Sequence, residues 1–494
     1  MSERTHQIII RQSPEVHLKS FQTRRGFRRK LRRNLRAALA NVEHRLQVVQ
    51  GGFMLETPEP ETACEILPRV FGIASFSPVE AVTDADIDAL CRVAREHITQ
   101  YVRGRTFAVR CKRHGPRVLS TREVEWRVGA VLDGPGKVDL SHPQVTVRVD
   151  LWGDHASFHV RRIPGAGGLP VGVQGRALAL ISGGFDSAVA AWYTMRRGAM
   201  VDYVFCNLGG AAHLHQVTQV ARLLAERWAS GTRPRLFVVD FQAVVSDLRV
   251  TLPSDVWQVV LKRLMYRAAD AIARRIDAEA LVTGEALSQV SSQTLSNLNT
   301  IDAATDLPVL RPLIGFDKQE IMERARDIGT FVLSEKAPEF CALTNDRPLV
   351  RTRREQVDAQ EALLEAHFLE EAIENTVELD LLALTAEDLA EPGILVEEIP
   401  DDVEVIDCQP PQRYRHWHVP GAVNRTPDQL TRQYRELPRD RRYLLYCLRG
   451  THSAILAERM RDAGFDACAF RGDVGKVKKA WLRKLEEARS ATAG

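Results

Sequence analysis

No apolar run in these 494 residues approaches the roughly 18 that a membrane-spanning helix needs, and the first residues carry no apolar signal core. The expected compartment is the cytoplasm, with no membrane partner. Cysteines are few and scattered: Cys64, Cys91, Cys111, Cys206, Cys341, Cys408, Cys447 and Cys468 form no CxxC and no Cys/His pair at metal spacing. That argues against structural zinc. In a reducing compartment such thiols are mostly buried, so a reactive one must be picked out by its local setting. There is also no GxxxxGKS/T, which excludes a Walker phosphate loop.

What is present is uneven. The net charge of +3 combines eleven Lys/Arg against two acids over residues 1–36 with eighteen acids and no Lys or Arg over residues 355–412. The two regions are therefore expected to face different partners. Residues 24–36, RRGFRRKLRRNLR, place Phe27, Leu31 and Leu35 on one helical face and leave Arg24, Arg25, Arg28, Arg29, Lys30, Arg32 and Arg33 outside it. Such a cationic stripe suits a nucleic-acid backbone; without a partner it is a solvated basic helix. Arg110, Lys112 and Arg113, in the strand-like TFAVRCKRHG, extend the candidate RNA-binding set.

Residues 182–187 read SGGFDS, between the apolar strand pattern ALALI and a small-residue helix start, AVAAWYTM. Gly183 and Gly184 remove Cβ atoms where backbone must turn and approach an anion, and Ser182 and Ser187 add hydroxyls beside free helix N–H groups. Asp186 supplies a carboxylate where metal-bound pyrophosphate would lie. The signature resembles that of PP-loop ATP pyrophosphatases, which adenylate an oxygen and release pyrophosphate.

At this length the chain is expected to hold roughly three or four domains. Residues 1–60 form a basic segment ending in ETPEPET, and residues 61–165 hold a helical stretch over 83–102 and a strand pair in VTVRVDLWGDHASFHV. After the Gly/Pro linker GAGGLPVG, residues 172–390 alternate: strands VDYVFCNL, RLFVVDF and ALVTGEAL, and helices HLHQVTQVARLLAERW and VWQVVLKRLMYRAADAIARRI. Repeated βα units predict a doubly wound parallel sheet whose ligand lies beyond the strands' carboxyl ends. An acidic tract, residues 354–389, is read as helical. Residues 400–494 form a last α/β domain.

That domain holds YCLRGTHS. Cys447 ends a buried strand inside a short loop entering a helix, so inward amides and the helix dipole are expected to favour an anionic sulfur. A Cys-x5-Arg phosphatase would need Arg at position 453; this chain has Ser453 there, and Arg449 inside the loop. The loop resembles a rhodanese, as does HVPGAVN at residues 418–424, although Gln409 stands where many rhodaneses carry an Arg partner for Asp407.

The whole order, together with LALISGGFDS, NLGGAAH, LKRLM, LVTGEALSQVSSQTL, LRPLI and APEFC, resembles the ThiI family of tRNA uridine 4-sulfurtransferases in its long form. The resemblance implies a multidomain α/β and α+β chain: an N-terminal ferredoxin-like segment, an RNA-binding THUMP domain, a PP-loop domain of adenine-nucleotide α-hydrolase type and a rhodanese. It implies ATP and Mg2+ as cofactors. The implied partners are tRNA, a cysteine desulfurase that loads Cys447 with persulfide sulfur, and a sulfur-carrier protein of thiazole synthesis. By matching position, the nucleotide would meet Leu180, Ile181, Ser182, Gly183, Gly184, Asp186, Ser187, Phe205, Cys206, Lys262, Gly284 and Gln293, with Lys262 neutralising the departing pyrophosphate. Cys341 would resolve the Cys447 persulfide by forming a disulfide; without the resemblance it reads as a structural thiol. Two other classes fit parts of the chain: an amide-forming PP-loop ligase, which would need an ammonia source, and a non-catalytic RNA-binding sulfur carrier, which would have no use for Asp186.

Overall fold

The computed structural model of the chain describes residues 5–114, 119–335, 348–386, 388–389, 393–448 and 450–492. These form two compact units: Met1–Gln174 with Met195–Met200 and Arg227–Thr232, and Gly175–Thr194 with Val201–Glu226 and Arg233–Gly494. Among the described residues no helix is long and apolar enough to cross a membrane.

The first unit has two five-stranded sheets. One runs Ile163–Pro164, Ile73–Pro78, His6–Gln12, Gly52–Thr57, Arg45–Val49, all antiparallel. It includes Ile73–Pro78, beyond the break expected near residue 60. The basic helix Phe21–Ala38, capped by Ser20, buries Phe27, Leu31 and Leu35 as its spacing predicts. Leu31 and Leu35 pack with Ile8, Ile10, Phe53 and Phe76 of the sheet. The second sheet runs Ala81–Asp84, His155–His159, Val145–Trp152, Thr106–Arg113, Lys137–Val138. Residues 83–102, read as helical, begin instead as the end of a strand; the helix starts at Ile87, where the Asp86 side chain accepts from the amides of Asp88 and Ala89.

A buried polar cluster ties Arg11 of the first sheet to the second. Asp150 takes His114 Nε2 at 3.0 Å and lies 3.6 Å from both Arg11 and His159 Nδ1, while Arg11 meets His159 Nε2 at 2.8 Å and Ser77 Oγ at 3.0 Å. Burial lowers His159 to about 4 against the pull of Asp150, with Arg11, Arg148 and Arg162 adding to the lowering. The ring is neutral when folded and takes a proton more readily when unfolded. Its contribution to stability is therefore complete above about pH 6.5 and is lost as pH falls toward 4, on the order of 3 kcal/mol. Amide exchange in the strand His155–His159 measured from pH 7.5 to 4.5 should show this slope, and His159→Gln should flatten it; an unchanged slope in the variant rules the assignment out.

The second unit centres on a six-stranded sheet: Val309–Leu310, Ala280–Val282, Arg176–Leu180, Met200–Asn207, Arg235–Asp240, Val377–Asp380. Ala280–Val282 pairs parallel with both Arg176–Leu180 and Val309–Leu310, and Met200–Asn207 pairs parallel with Arg235–Asp240. The chain winds from Arg176–Leu180 through Met200–Asn207 to Arg235–Asp240 on one side, then crosses to Ala280–Val282 and Val309–Leu310 on the other, so the switch point, where such sheets bind ligands, lies between Arg176–Leu180 and Ala280–Val282. Two readings are corrected here. ALVTGEAL is a strand only over Ala280–Val282. The acidic tract is helical over Arg354–Glu361 and Ala366–Glu374 but ends in the strand Val377–Asp380, which joins the sheet antiparallel at its edge, where Glu378 meets Arg235 at 3.1 Å. The tract also has an internal partner: Arg263, 1% exposed, is held by Asp358, Glu361 and the Thr300 carbonyl at 2.5, 2.5 and 2.7 Å.

The fourth sheet, also in the second unit, is parallel throughout and runs Leu395–Val396, Asp466–Phe470, Arg442–Tyr446, Glu404–Asp407, Val423–Asn424.

Candidate functional site

SGGFDS joins the strand Arg176–Leu180 to the helix Phe185–Arg196. The two serines divide the work the sequence reading gave them jointly. Ser187 is buried: its hydroxyl accepts from the Ser182 amide at 3.2 Å and donates to the Gly184 carbonyl at 3.3 Å, closing the loop on itself, whereas Ser182 is exposed. Gly183 has φ of 79°, a conformation glycine adopts without strain, and a Cβ on Gly184 would meet only Ser182 Oγ, at 3.7 Å. The loop is therefore bare backbone at a helix N-terminus, the arrangement a phosphate requires.

The rest of the chain builds walls around it. A Cβ on Gly284 would lie 2.5 Å from both Asp186 C and Ser187 N, so only glycine lets this segment press against the loop. Beside it, Glu285 accepts from Lys262 Nζ at 2.6 Å, Arg311 at 2.8 Å, Tyr266 at 2.8 Å and Thr283 at 3.1 Å. Burial works to raise the Glu285 carboxyl, but Lys262 and Arg311 outweigh it and bring it down to about 2. Lys262 thus stands next to Gly284, and its ammonium is engaged by Glu285. Ile181 donates to the Val204 carbonyl of the neighbouring strand Met200–Asn207 at 2.9 Å. Leu180 is half-buried, while Phe205 and Cys206 are buried, the Cys206 thiol pushed up by that burial, so these two positions offer backbone rather than side chain to a ligand. Gln293 is buried in the turn Ser291–Gln293, and its Oε1 has no hydrogen-bond partner among the described residues.

Three residues at this site were missed in the sequence. Lys318, opening the helix Lys318–Ile328, reaches both Asp186 oxygens at 2.7 and 3.0 Å, and Gln289 donates to Asp186 at 2.8 Å. His213 Nε2 donates to the Ser182 carbonyl at 3.1 Å and packs edge-on against Phe205; burial lowers it to about 4, so the ring is neutral and its tautomer is fixed by that bond.

The second loop begins at Cys447, immediately after the strand Arg442–Tyr446. Cys447 is 3% exposed, and Ser453 Oγ lies 3.5 Å from its sulfur and donates to the Gly450 carbonyl at 3.0 Å. Gly450 caps the helix Thr451–Asp462 at φ of 83°, where a Cβ would strike the Gly472 carbonyl at 2.5 Å. Gln409 replaces an ion pair with neutral bonds. Its backbone and side-chain amides reach Asp407 at 2.7 and 2.9 Å, and Tyr446 adds a 2.5 Å bond to the same carboxylate. Cys341 and Arg449 lie outside the described residues. Of the basic set, Arg25, Arg29, Arg33, Arg110, Lys112 and Arg113 are exposed and Arg24, Arg28, Lys30 and Arg32 half-buried. Arg110 is partly engaged, donating to the Leu140 carbonyl at 2.8 Å.

Fold and loops together define a class: multidomain α/β enzymes that join a PP-loop domain to a rhodanese. Family models agree in order: "ThiI ferredoxin-like domain" over residues 7–77, "THUMP domain" over 84–161, "Thiamine biosynthesis protein (ThiI)" over 172–366 and "Rhodanese-like domain" over 392–480. The chain is 37% identical over 92% of its length to a tRNA sulfurtransferase of Marinobacter nauticus, covering 97% of that protein. It is 40% identical over 82% of its length to one of Pyrobaculum aerophilum, covering 84% of it. A crystal structure of a 4-thiouridine synthetase–RNA complex with bound ATP superposes with a TM-score of 0.67 at 29% identity, covering 76% of this chain and 99% of that one. The chain belongs to the ThiI family and is a sulfur-transferring enzyme.

Proposed function

We propose that the chain converts uridine 8 of tRNA to 4-thiouridine, using ATP at SGGFDS and persulfide sulfur on Cys447. The observation that carries this is the presence, in one compact unit, of a bare anion loop with a lysine-held carboxylate and a strand-end cysteine in a glycine-capped loop. Relatives named tRNA sulfurtransferase and the ATP- and RNA-bound 4-thiouridine synthetase support it.

In this reading uracil O4 attacks the α-phosphorus of ATP and pyrophosphate leaves, its charge met by loop amides, Lys318 and Lys262. Asp186 would hold Mg2+, which would neutralise the phosphates. The terminal persulfide sulfur then attacks C4 and AMP departs. Cys341 thiolate attacks Cys447 sulfur, breaking the bond to the transferred atom and forming a disulfide that an external dithiol reduces. The exposed arginines of residues 24–33 and the 110–113 strand would bind the tRNA backbone. A cysteine desulfurase would load Cys447, and the same persulfide would serve a sulfur-carrier protein of thiazole synthesis, consistent with the family's description as a thiamine biosynthesis protein.

Purified protein given tRNA, ATP and a persulfide donor should release one AMP and one pyrophosphate per 4-thiouridine formed, measured by nucleoside mass analysis and pyrophosphate assay. Thiouridine formed without AMP overturns the adenylation step.

A further inference from the structure

Glu458 lies on the helix Thr451–Asp462, which starts beside Cys447, about 10 Å along the axis from its first residue. Its two oxygens both accept from the Ala211 amide, at 3.0 and 2.9 Å. Ala211 is in the first turn of the helix Gly210–Trp228, and the next turn of contacts leads to the nucleotide loop, since His213 holds the Ser182 carbonyl. The approach is close enough to dictate sequence: Gly210 has φ of 70°, and a Cβ there would fall 1.9 Å from Glu458 Oε2. Two flanking contacts belong to the same surface. Arg459 donates to Gln242 Oε1 at 3.1 Å, and Ala212 packs against the apolar cluster that contains Cys447.

We propose that Glu458 is a positioning residue, a carboxylate latch that docks the sulfur-carrying helix on the N-terminus of Gly210–Trp228 for transfer and releases it for reloading. Charge and helix polarity favour the docked contact, because a carboxylate at a helix N-terminus meets unpaired N–H groups. Other terms oppose it. Burial raises the Glu458 carboxyl, and Asp462 and Asp240 add to the rise against the help of Ala211 and Arg459. A contact so balanced holds a geometry without locking it, as a carrier that must visit both a donor and an acceptor requires. This inference rests on Cys447 being the sulfur carrier.

The test separates three steps in wild type, Glu458→Gln and Glu458→Lys. First-turnover pyrophosphate release and loading of one sulfur on Cys447, read by intact-protein mass, should stay within about twofold in all three. Single-turnover transfer from preloaded protein should fall tenfold or more in Glu458→Lys and less in Glu458→Gln, which keeps the shape. Amide exchange over residues 208–216 should rise in Glu458→Lys. Wild-type protection there with wild-type transfer in Glu458→Lys overturns the latch, as does an equal loss of pyrophosphate release, which would place Glu458 in the nucleotide site. If wild type takes up no sulfur on Cys447, the carrier reading fails instead, while the exchange result still decides whether Glu458 holds the contact.

Discussion

Cys447→Ser is expected to reduce 4-thiouridine formation to background while first-turnover pyrophosphate release and tRNA binding remain. The substitution is close to isosteric, and the site is built so that little else changes. Cys447 sits at the end of a parallel strand between Tyr446, whose hydroxyl is tied to Asp407, and a loop held by Ser453 and by the glycine contact between Gly450 and Gly472. None of those bonds needs sulfur. What the variant loses is a soft nucleophile able to carry a second sulfur atom, and a hydroxyl cannot replace it at neutral pH. Nucleoside mass analysis of tRNA, with intact-protein mass for bound sulfur, reads both halves of the result. Thiouridine retained at wild-type level in the variant would mean that sulfur reaches the base by another route, and the role given to the rhodanese loop would be wrong.

The contrast between the two loops shows what a sequence exposes. Each loop is local: strand, turn and helix start are consecutive, so SGGFDS and YCLRGTHS could be read with their elements, and Phe27, Leu31 and Leu35 gave the buried face of the basic helix by spacing alone. The groups that hold these loops come from far along the chain. Lys318 and Gln289 stand 132 and 103 residues from Asp186, and no periodicity connects them. One signal for Lys318 was available: DKQE at 317–320 forms a capping box, Asp317 and Glu320 each bonding the other's backbone, which marks a helix start where a lysine would face the ligand end of a parallel sheet. Glu458 had no such signal, because its partner is a backbone amide on another element. The edge strand Val377–Asp380 was hidden by composition, since its acids read as a continuation of the acidic helices until Arg235 is seen opposite Glu378.

Gly284→Ala is expected to be as damaging to nucleotide chemistry as Cys447→Ser is to sulfur transfer. The added methyl would sit 2.5 Å from Asp186 C and Ser187 N and 2.7 Å from Asp186 O. All three are backbone atoms, so no side-chain rotation relieves the contact and the loop or the 283–285 segment must move. Either movement disturbs the same geometry, because Asp186 is held by Lys318 and Gln289 while Glu285, next along, gathers Lys262, Arg311 and Tyr266. Overpacking of this kind costs about 1–3 kcal/mol of stability. A displacement of about 1 Å in a phosphate cradle is expected to lower kcat for AMP formation about 100-fold. Gly315→Ala is the control, since a Cβ there meets nothing within 4 Å and should leave rate and melting temperature unchanged. Persulfide loading of Cys447 should survive Gly284→Ala, which separates loop damage from unfolding. Near-wild-type AMP formation in this variant would show that the loop tolerates the shift, and the close approach of Gly284 would then be packing without catalytic consequence.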